Sequence, residues 1–409
     1  MKYNSLLNDI AYISFILNLI SIYCFSAKVA TVDLANIIFG VNTIVMLTFV
    51  VCRNNRVKLV KIHLYFFVLF LWANISLLWS IDIESAISKV ITLSLLFIYS
   101  CIMYEYFKYQ DNAIRKILIA IYYAGLVMSL YALWIYTPSG IIDAFTTQTR
   151  LGTEINNANV FGINAALSAV IGFTFYLYYS KRIYLFGSIL CLIMALVSGS
   201  VKVLVILFIG YLYIVGKVYE KKKIWSSVLF LSFSFLIIDF LIGDTGSIFT
   251  LQRMEEIINV FTGEGATNHS TLLRLFYIKV GFEAFLNNPI LGYGLEGFAT
   301  ILLHNIGEVT YSHNNYIEML VNLGLVGFII YYSIYSKLFK KLFKYTGKDI
   351  FTKLIFIILV SKLFSDIASV SYYSKETYIL LVLYYICSTN TVVILNNELN
   401  GSSDGEIKC

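Results

Sequence analysis

The chain has 409 residues, 59% of them hydrophobic and 13% charged, with a formal net charge of +6 and a mean hydropathy of +0.79. A soluble domain of this size cannot hide so much apolar surface, so the surrounding solvent is lipid. The basic excess sits in short loops between apolar runs, which is a topology signal and excludes a nucleic-acid-binding stripe.

Only Lys2 precedes the first apolar run, and no small-residue cleavage site follows it, so the first span is read as uncleaved. Apolar runs long enough for a bilayer fall near 8–25, 30–51, 59–79, 86–107 and 114–136, then near 159–180, 183–197, 202–217 and 224–243, and finally near 314–336, 350–370 and 376–395. The runs at 183–197 and 202–217 are short and are expected to lean on each other. Nothing alternates like a barrel strand, and backbone polar groups in lipid must be satisfied within each segment, so the runs are helices. The expected fold is all-α: a polytopic membrane protein of about twelve transmembrane helices, forming a single integral membrane domain over 1–409.

With both ends cytoplasmic, twenty-one of the 30 Lys and Arg residues fall in inner loops and tails, a clear positive-inside bias. Residues 396–409 are then a cytoplasmic tail. Two outer segments stand out, at 137–158 and at 244–313, the latter a large extracytoplasmic loop between helices nine and ten. Within it, SIFTLQRMEEIINVF and STLLRLFYIKVGFEAFL read as helices, the second ended by Asn288-Pro289. That second helix is apolar almost all round and is expected to pack on the bundle or lie in the interface.

The basic residues left outside carry the chemical information. Arg150 precedes the sixth helix, Lys202 starts the eighth, Arg253 and Arg274 lie in the large loop, and His313 opens the tenth helix, all at one depth. An arginine fork matches phosphate oxygens, so several such cations can hold a diphosphate without a metal. Helix N-termini at 202 and 314 add partial positive charge. Each arginine taken alone could equally snorkel to lipid headgroups, and a lone histidine could simply mark a helix entry. Asp33, Lys89, Asp239, Lys362 and Asp366 fall in the outer halves of their helices and argue for a polar cavity opening outward. Lys362 and Asp366, four residues apart, can pair and could serve only as helix-to-helix glue. The six cysteines, Cys24, Cys52, Cys101, Cys191, Cys387 and Cys409, form no CxxC pair, and the four histidines show no HExxH spacing, so neither a disulfide framework nor a metal centre is expected. There is no GxxxxGK[ST] loop for a nucleotide, and no cofactor is implied.

His313-Asn314, followed by nine residues, Gly324, two residues and Gly327, resembles the H-N-x9-G-x-x-G signature of the O-antigen ligase and O-antigen polymerase superfamily. RLGTEINNANVFG from Arg150, LVSGSVKVLV from Leu196 and STLLRLFYIKVGFEAFLNNPILGYGLEGF from Ser270 are similar to three further segments of that family, in its order. The chain departs from it at Ala158, where the family has proline, and at Val201, where it has arginine, leaving Lys202 as the cation. The family's tryptophan in the loop helix is also absent; Tyr277 is the nearest aromatic residue.

The resemblance implies a lipid-linked-sugar glycosyltransferase of the bacterial cytoplasmic membrane, with its site facing the extracytoplasmic side. Donor and acceptor would be polyprenyl diphosphate-linked oligosaccharides, with flippase and chain-length regulator proteins as partners, together with membrane lipid and no nucleic acid. Arg150, Lys202, Arg253 and Arg274 would hold the diphosphate, and His313 would act as general base. Asn157, Asn159, Asn314 and Asn315 would bind sugar hydroxyls, Glu318 would orient the imidazole, and Gly324 and Gly327 would let another helix approach. A polymerase of O-antigen, capsular or exopolysaccharide repeat units is the favoured expectation, with a ligase that moves finished polymer as the alternative. A flippase of lipid-linked sugars is the reading from another class. It predicts charge lining both halves of the bundle and internal repeats, and neither is evident.

Overall fold

A computed structural model describes residues 2–53, 59–147, 149–215, 269–346 and 349–399. Thirteen α-helices are present among them: α1 (Lys2–Phe25), α2 (Val29–Cys52), α3 (Lys61–Ile75), α4 (Ile83–Phe107), α5 (Ala113–Thr146), α6 (Ala158–Tyr179), α7 (Arg182–Val197), α8 (Val201–Val215), α9 (His269–Asn287), α10 (Gly297–Ile306), α11 (Asn315–Tyr345), α12 (Ile350–Ser365) and α13 (Lys375–Leu399). No strand occurs among the described residues. Seven of the helices, α1 to α6 and α11, are long and apolar enough to cross a membrane. The protein is an all-α, polytopic integral membrane protein.

The eleven expected spans that lie in the described residues each coincide with a helix; the one near 224–243 lies outside them, as do Asp239, Arg253 and the first expected loop helix. Several spans are shorter than a full crossing. α7 has 16 residues, about 24 Å at 1.5 Å per residue against a hydrocarbon core of about 30 Å. The expectation that α7 and α8 lean on each other is corrected: they touch little, α7 packing chiefly on α6 and α8 on α6 and α12 alike. α6 is the hub of the bundle, enclosed by α5, α7, α8 and α12. Its small residues let neighbours close in, Gly162 beside Ser198 and Val203, and Gly172 beside Tyr122 and Ser188. Side chains such as Ile44, Trp134, Phe186 and Phe208 point outward into the apolar solvent. Between α1, α2 and α4, Asn18, Asn42 and Tyr99 hydrogen-bond one another, Asn18 Nδ2 donating to Tyr99 Oη at 3.2 Å and Tyr99 Oη to Asn42 Oδ1 at 3.1 Å.

The outer segment expected over 137–158 is mostly helical. α5 continues to Thr146 across a break at Thr137 (φ 58°, ψ 160°), set by Pro138, whose ring disfavours an α conformation in the residue before it. α9 ends at Asn287, just ahead of Asn288-Pro289, and packs Tyr277, Val280 and Ala284 against Phe298 and Leu302 of α10 and Val321 of α11. α10 itself was not foreseen.

α11 is not continuous. Gly324 takes φ 64°, ψ −172° inside it, and the 288–294 loop stitches into the gap. Leu325 N donates to Pro289 O at 2.8 Å and Tyr293 N to Val321 O at 2.9 Å. Trp72 of α3 donates its indole N–H to Leu323 O at 2.9 Å. These backbone groups freed by the break thus find partners, as lipid requires. The role expected of Gly324, helix-to-helix approach, is corrected. Its missing Cβ admits the backbone of Ile290 and Gly292, whereas Gly327 does face a helix, at Trp72.

Candidate active site

α1, α3, α5, α7 and α12 finish, and α2, α4, α6, α8, α11 and α13 begin, at one end of the bundle, and the connections meet there. Arg150 sits ahead of α6, Lys202 in the first turn of α8, and His313 just before α11. The turn into α11 is over-determined. Asn314 caps the helix, its Oδ1 accepting from Tyr316 N at 2.9 Å and Ile317 N at 3.1 Å. Ser312 Oγ donates to Asn314 O at 2.7 Å, and the Ser312 amide donates to Glu318 Oε2 at 2.7 Å. These bonds hold His313 in the left-handed region, φ 57°, a conformation that costs a non-glycine residue about 1–2 kcal/mol. The strain sits on the residue whose chemistry is in question.

The imidazole lies between two tyrosine rings, 4.2 Å from Tyr311 and 6.2 Å from Tyr277, the latter nearly coplanar at 11°. Tyr277 is fixed by its own hydroxyl, which donates to Glu308 Oε2 at 3.1 Å. Arg274 lies one helical turn before Tyr277 on α9, and its charge reaches both His313 and Tyr311. Lys202, Arg274, Arg150 and Lys362 share one field, with Asp366 as the carboxylate among them.

Burial first, then the positive charges of Arg274 and Lys202, lowers the His313 pKa from 6.5 to about 4. A lowered histidine pKa favours the neutral ring. That contribution to stability is fully present above pH 6.5 and is lost as pH falls through about 4. The neutral ring is also the form able to accept a proton. Nitrogen NMR of the substrate-free protein should therefore show His313 neutral at pH 5, and a midpoint at the ordinary 6.5 would mean that the ring is not shielded as described.

Several other expected site residues have defined positions. Arg150 Nε donates to Ser198 O at 2.9 Å and one terminal nitrogen to Asn159 Oδ1 at 2.8 Å, so the arginine joins the segment ahead of α6 to the Ser198–Ser200 turn. Asn157 is the exposed N-cap of α6, accepting from Asn159 N. Lys202 is buried and donates to Ala368 O. Asn315 is fully buried: its Oδ1 accepts from Ser371 N and Tyr372 N, and its Nδ2 donates to Tyr332 Oη at 2.8 Å. Its amide holds the connection between α12 and α13. Glu318 reaches the backbone ahead of His313 rather than the imidazole. Lys362 and Asp366 pair at 2.6 Å.

Sequence reasoning named Tyr277 without a role and passed over Tyr311 and a second charged group. Lys89 of α4 pairs with Glu296 at 3.1 Å and lies 3.8 Å from the centre of the Tyr373 ring. Lys89 stood out as a membrane charge, but nothing in its surroundings pointed to a partner two hundred residues away.

A multi-span helical membrane protein with cations and a strained, shielded histidine gathered at one end defines the class. Residues 163–332 match the family model described as O-antigen ligase, so this part of the chain is similar to that family. The matched stretch includes Lys202, Arg274 and His313 and leaves Arg150 just outside. No curated protein sequence matches the chain.

Proposed function

We propose that the protein is a polysaccharide polymerase that transfers an oligosaccharide from a polyprenyl diphosphate carrier to a sugar hydroxyl of an acceptor repeat unit, at a site facing the extracytoplasmic side of a bacterial cytoplasmic membrane. The observation that carries this reading is the gathering of Lys202 and Arg274 about a neutral imidazole, with Arg150 near Lys202, at one end of the bundle. The diphosphate lies against the three cations, with Arg253 a fourth candidate. The acceptor hydroxyl attacks the anomeric carbon, and His313 takes its proton as the new C–O bond forms. The bond from the anomeric carbon to the diphosphate breaks, and the fixed cations stabilise the charge gathering on the leaving oxygen. Displacement in one step inverts the anomeric centre. Asn314, Asn159 and Asn157 supply amides for sugar hydroxyls. Bound diphosphate offsets the positive field at His313 and so raises the basicity of the ring when a proton has to be taken.

A ligase reading, in which finished polymer moves to a terminal acceptor, is favoured by the description of the matched family. Incubating the purified protein with a lipid-linked repeat unit separates the two. A ladder of dimers and higher oligomers supports the polymerase. Transfer only when a non-carrier acceptor is added supports the ligase, and no transfer under either condition removes both. Arg274→Lys keeps the charge and loses the planar fork. Turnover should fall about tenfold to a hundredfold, the scale of a lost charge-stabilising contact; an unimpaired rate would mean that Arg274 grips no phosphate.

A further inference from the structure

A cavity of about 370 Å³ opens among α1, α2, α6, α12 and α13, next to the site but apart from His313. Its walls are mostly aliphatic, with Leu19, Ile22 and Ile163 among them, while one side carries Asn164, Ser361, Lys362, Ser365, Ser371 and Glu376. Glu376, in the first turn of α13, accepts from Asn164 Nδ2 at 2.9 Å on one carboxylate oxygen. Ser361 and Ser365, one turn apart on α12 and 2% and 4% exposed, have hydroxyl oxygens with no hydrogen-bond partner. Buried polar groups are ordinarily satisfied, and each one left over calls for an explanation.

The lining selects among occupants. A hydrocarbon tail would leave the Glu376 carboxylate in an apolar cavity with the Asn164 amide as its hydrogen-bond partner. An anion would meet the Glu376 carboxylate, while the ammonium of Lys362 is committed to Asp366 at 2.6 Å and that of Lys375 donates to Asn36 Oδ1 at 2.7 Å. A sugar ring satisfies both walls. Its C–H faces suit the aliphatic side, its hydroxyls donate to the carboxylate, and they exchange hydrogen bonds with the amide and the serines. The volume falls in the range of about 300–1,000 Å³ that small-molecule sites occupy. The 366–374 connection, clamped by Asn315 through Ser371 N and Tyr372 N, separates the cavity from the turn bearing His313.

We infer that this cavity is a saccharide subsite, which binds one hydroxyl-rich sugar of a glycan engaged in the transfer, with Glu376 and Asn164 as its principal polar contacts. The role in transfer rests on the function proposed above; the binding of a sugar does not.

The test uses the full purified chain in nanodiscs and saturation-transfer NMR with glucose, galactose, rhamnose, N-acetylglucosamine and N-acetylgalactosamine as probes. At least one should bind, His313→Ala should bind it equally, and Glu376→Gln and Asn164→Ala should each weaken it at least tenfold. Ile163→Phe, which narrows the aliphatic wall without touching a polar group, should also weaken it and serves if a polar variant fails to fold. Binding by none of the five sugars, undiminished binding by folded Glu376→Gln, or a co-purified lipid displaced by Ile163→Phe would each overturn the assignment. Sugar binding that persists in a protein without transferase activity would refute the proposed function and leave the subsite standing. Given transfer, a higher KM for the donor alone in Glu376→Gln assigns the subsite to the donor glycan, and a higher KM for the acceptor alone assigns it to the acceptor. Both constants unchanged would overturn it.

Discussion

Replacing His313 by alanine is expected to remove polymer synthesis, with turnover falling by about a hundredfold to ten-thousandfold, the range for loss of a positioned proton acceptor. The bonds that shape the turn, from Asn314 to Tyr316 and Ile317 and from Ser312 to Glu318, do not involve the imidazole, so they should survive. Because position 313 has φ 57°, alanine retains the backbone strain. His313→Asn is the companion variant, since asparagine tolerates that region best among non-glycine residues. Both should reach the membrane at normal levels and melt close to the parent, and neither should make a ladder. A normal ladder from either would end the case for a general base at this position. A melting temperature far below the parent in both would mean that the ring acts through packing against Tyr277 and Tyr311.

Gly324→Ala should damage the protein in a different way, by lowering both stability and turnover. At φ 64°, ψ −172° the backbone occupies a region essentially reserved for glycine, at a cost to other residues of about 1–3 kcal/mol. A Cβ there would also collide with the carbonyl of Ile290 and lie 2.7 Å from Gly292 N. The 288–294 loop would have to leave the break in α11, and α9 would move with it, carrying Arg274 and Tyr277 away from His313. Gly307→Ala is the matched control. It has a similar φ of 75° but, with ψ 9°, lies in the left-handed helical region, and nothing is within 4 Å of the added carbon, so it measures the milder penalty of a positive φ without a clash. Gly324→Ala should melt clearly below Gly307→Ala, and only Gly324→Ala should lose most of its turnover. Equal melting temperatures and equal rates in the two variants would show that the stitched loop does not set the geometry of the site.

Much of this was legible before any coordinates. Apolar runs mark helices reliably in lipid, because the backbone has no alternative partner, and so each expected span within the described residues has its helix. Lys362 and Asp366 could be paired from their four-residue spacing alone. His313, Arg274, Lys202 and Arg150 stood out because each was a basic residue on the side that topology should have emptied. The remainder depended on contacts distant in sequence. The run near 314–336 reads as one unbroken helix, and only the inserted 288–294 loop shows why Gly324 interrupts it. An asparagine beside a catalytic candidate looks the same whether it grips a sugar or clamps a loop. Asn315 proves to be fully engaged with Ser371, Tyr372 and Tyr332. Glu318 was expected at the imidazole because it lies about one helical turn in, but the left-handed residue turns the chain so that the carboxylate meets Ser312 N instead.

Asp366 accepts from Lys362 Nζ and, at 2.7 Å, from Ser371 Oγ, while its own carbonyl accepts from Asn315 N at 2.8 Å. Asn315 lies within the family match, whereas Lys362, Asp366 and Ser371 lie beyond residue 332, where it stops. A fragment trimmed to the matched borders would discard the anchor of its own histidine turn at one end and Arg150 at the other. Chimeras between homologues should therefore exchange everything from Arg150 through Tyr372 as a block, since a junction placed at the border of the match would join two halves of one hydrogen-bonded knot from different parents.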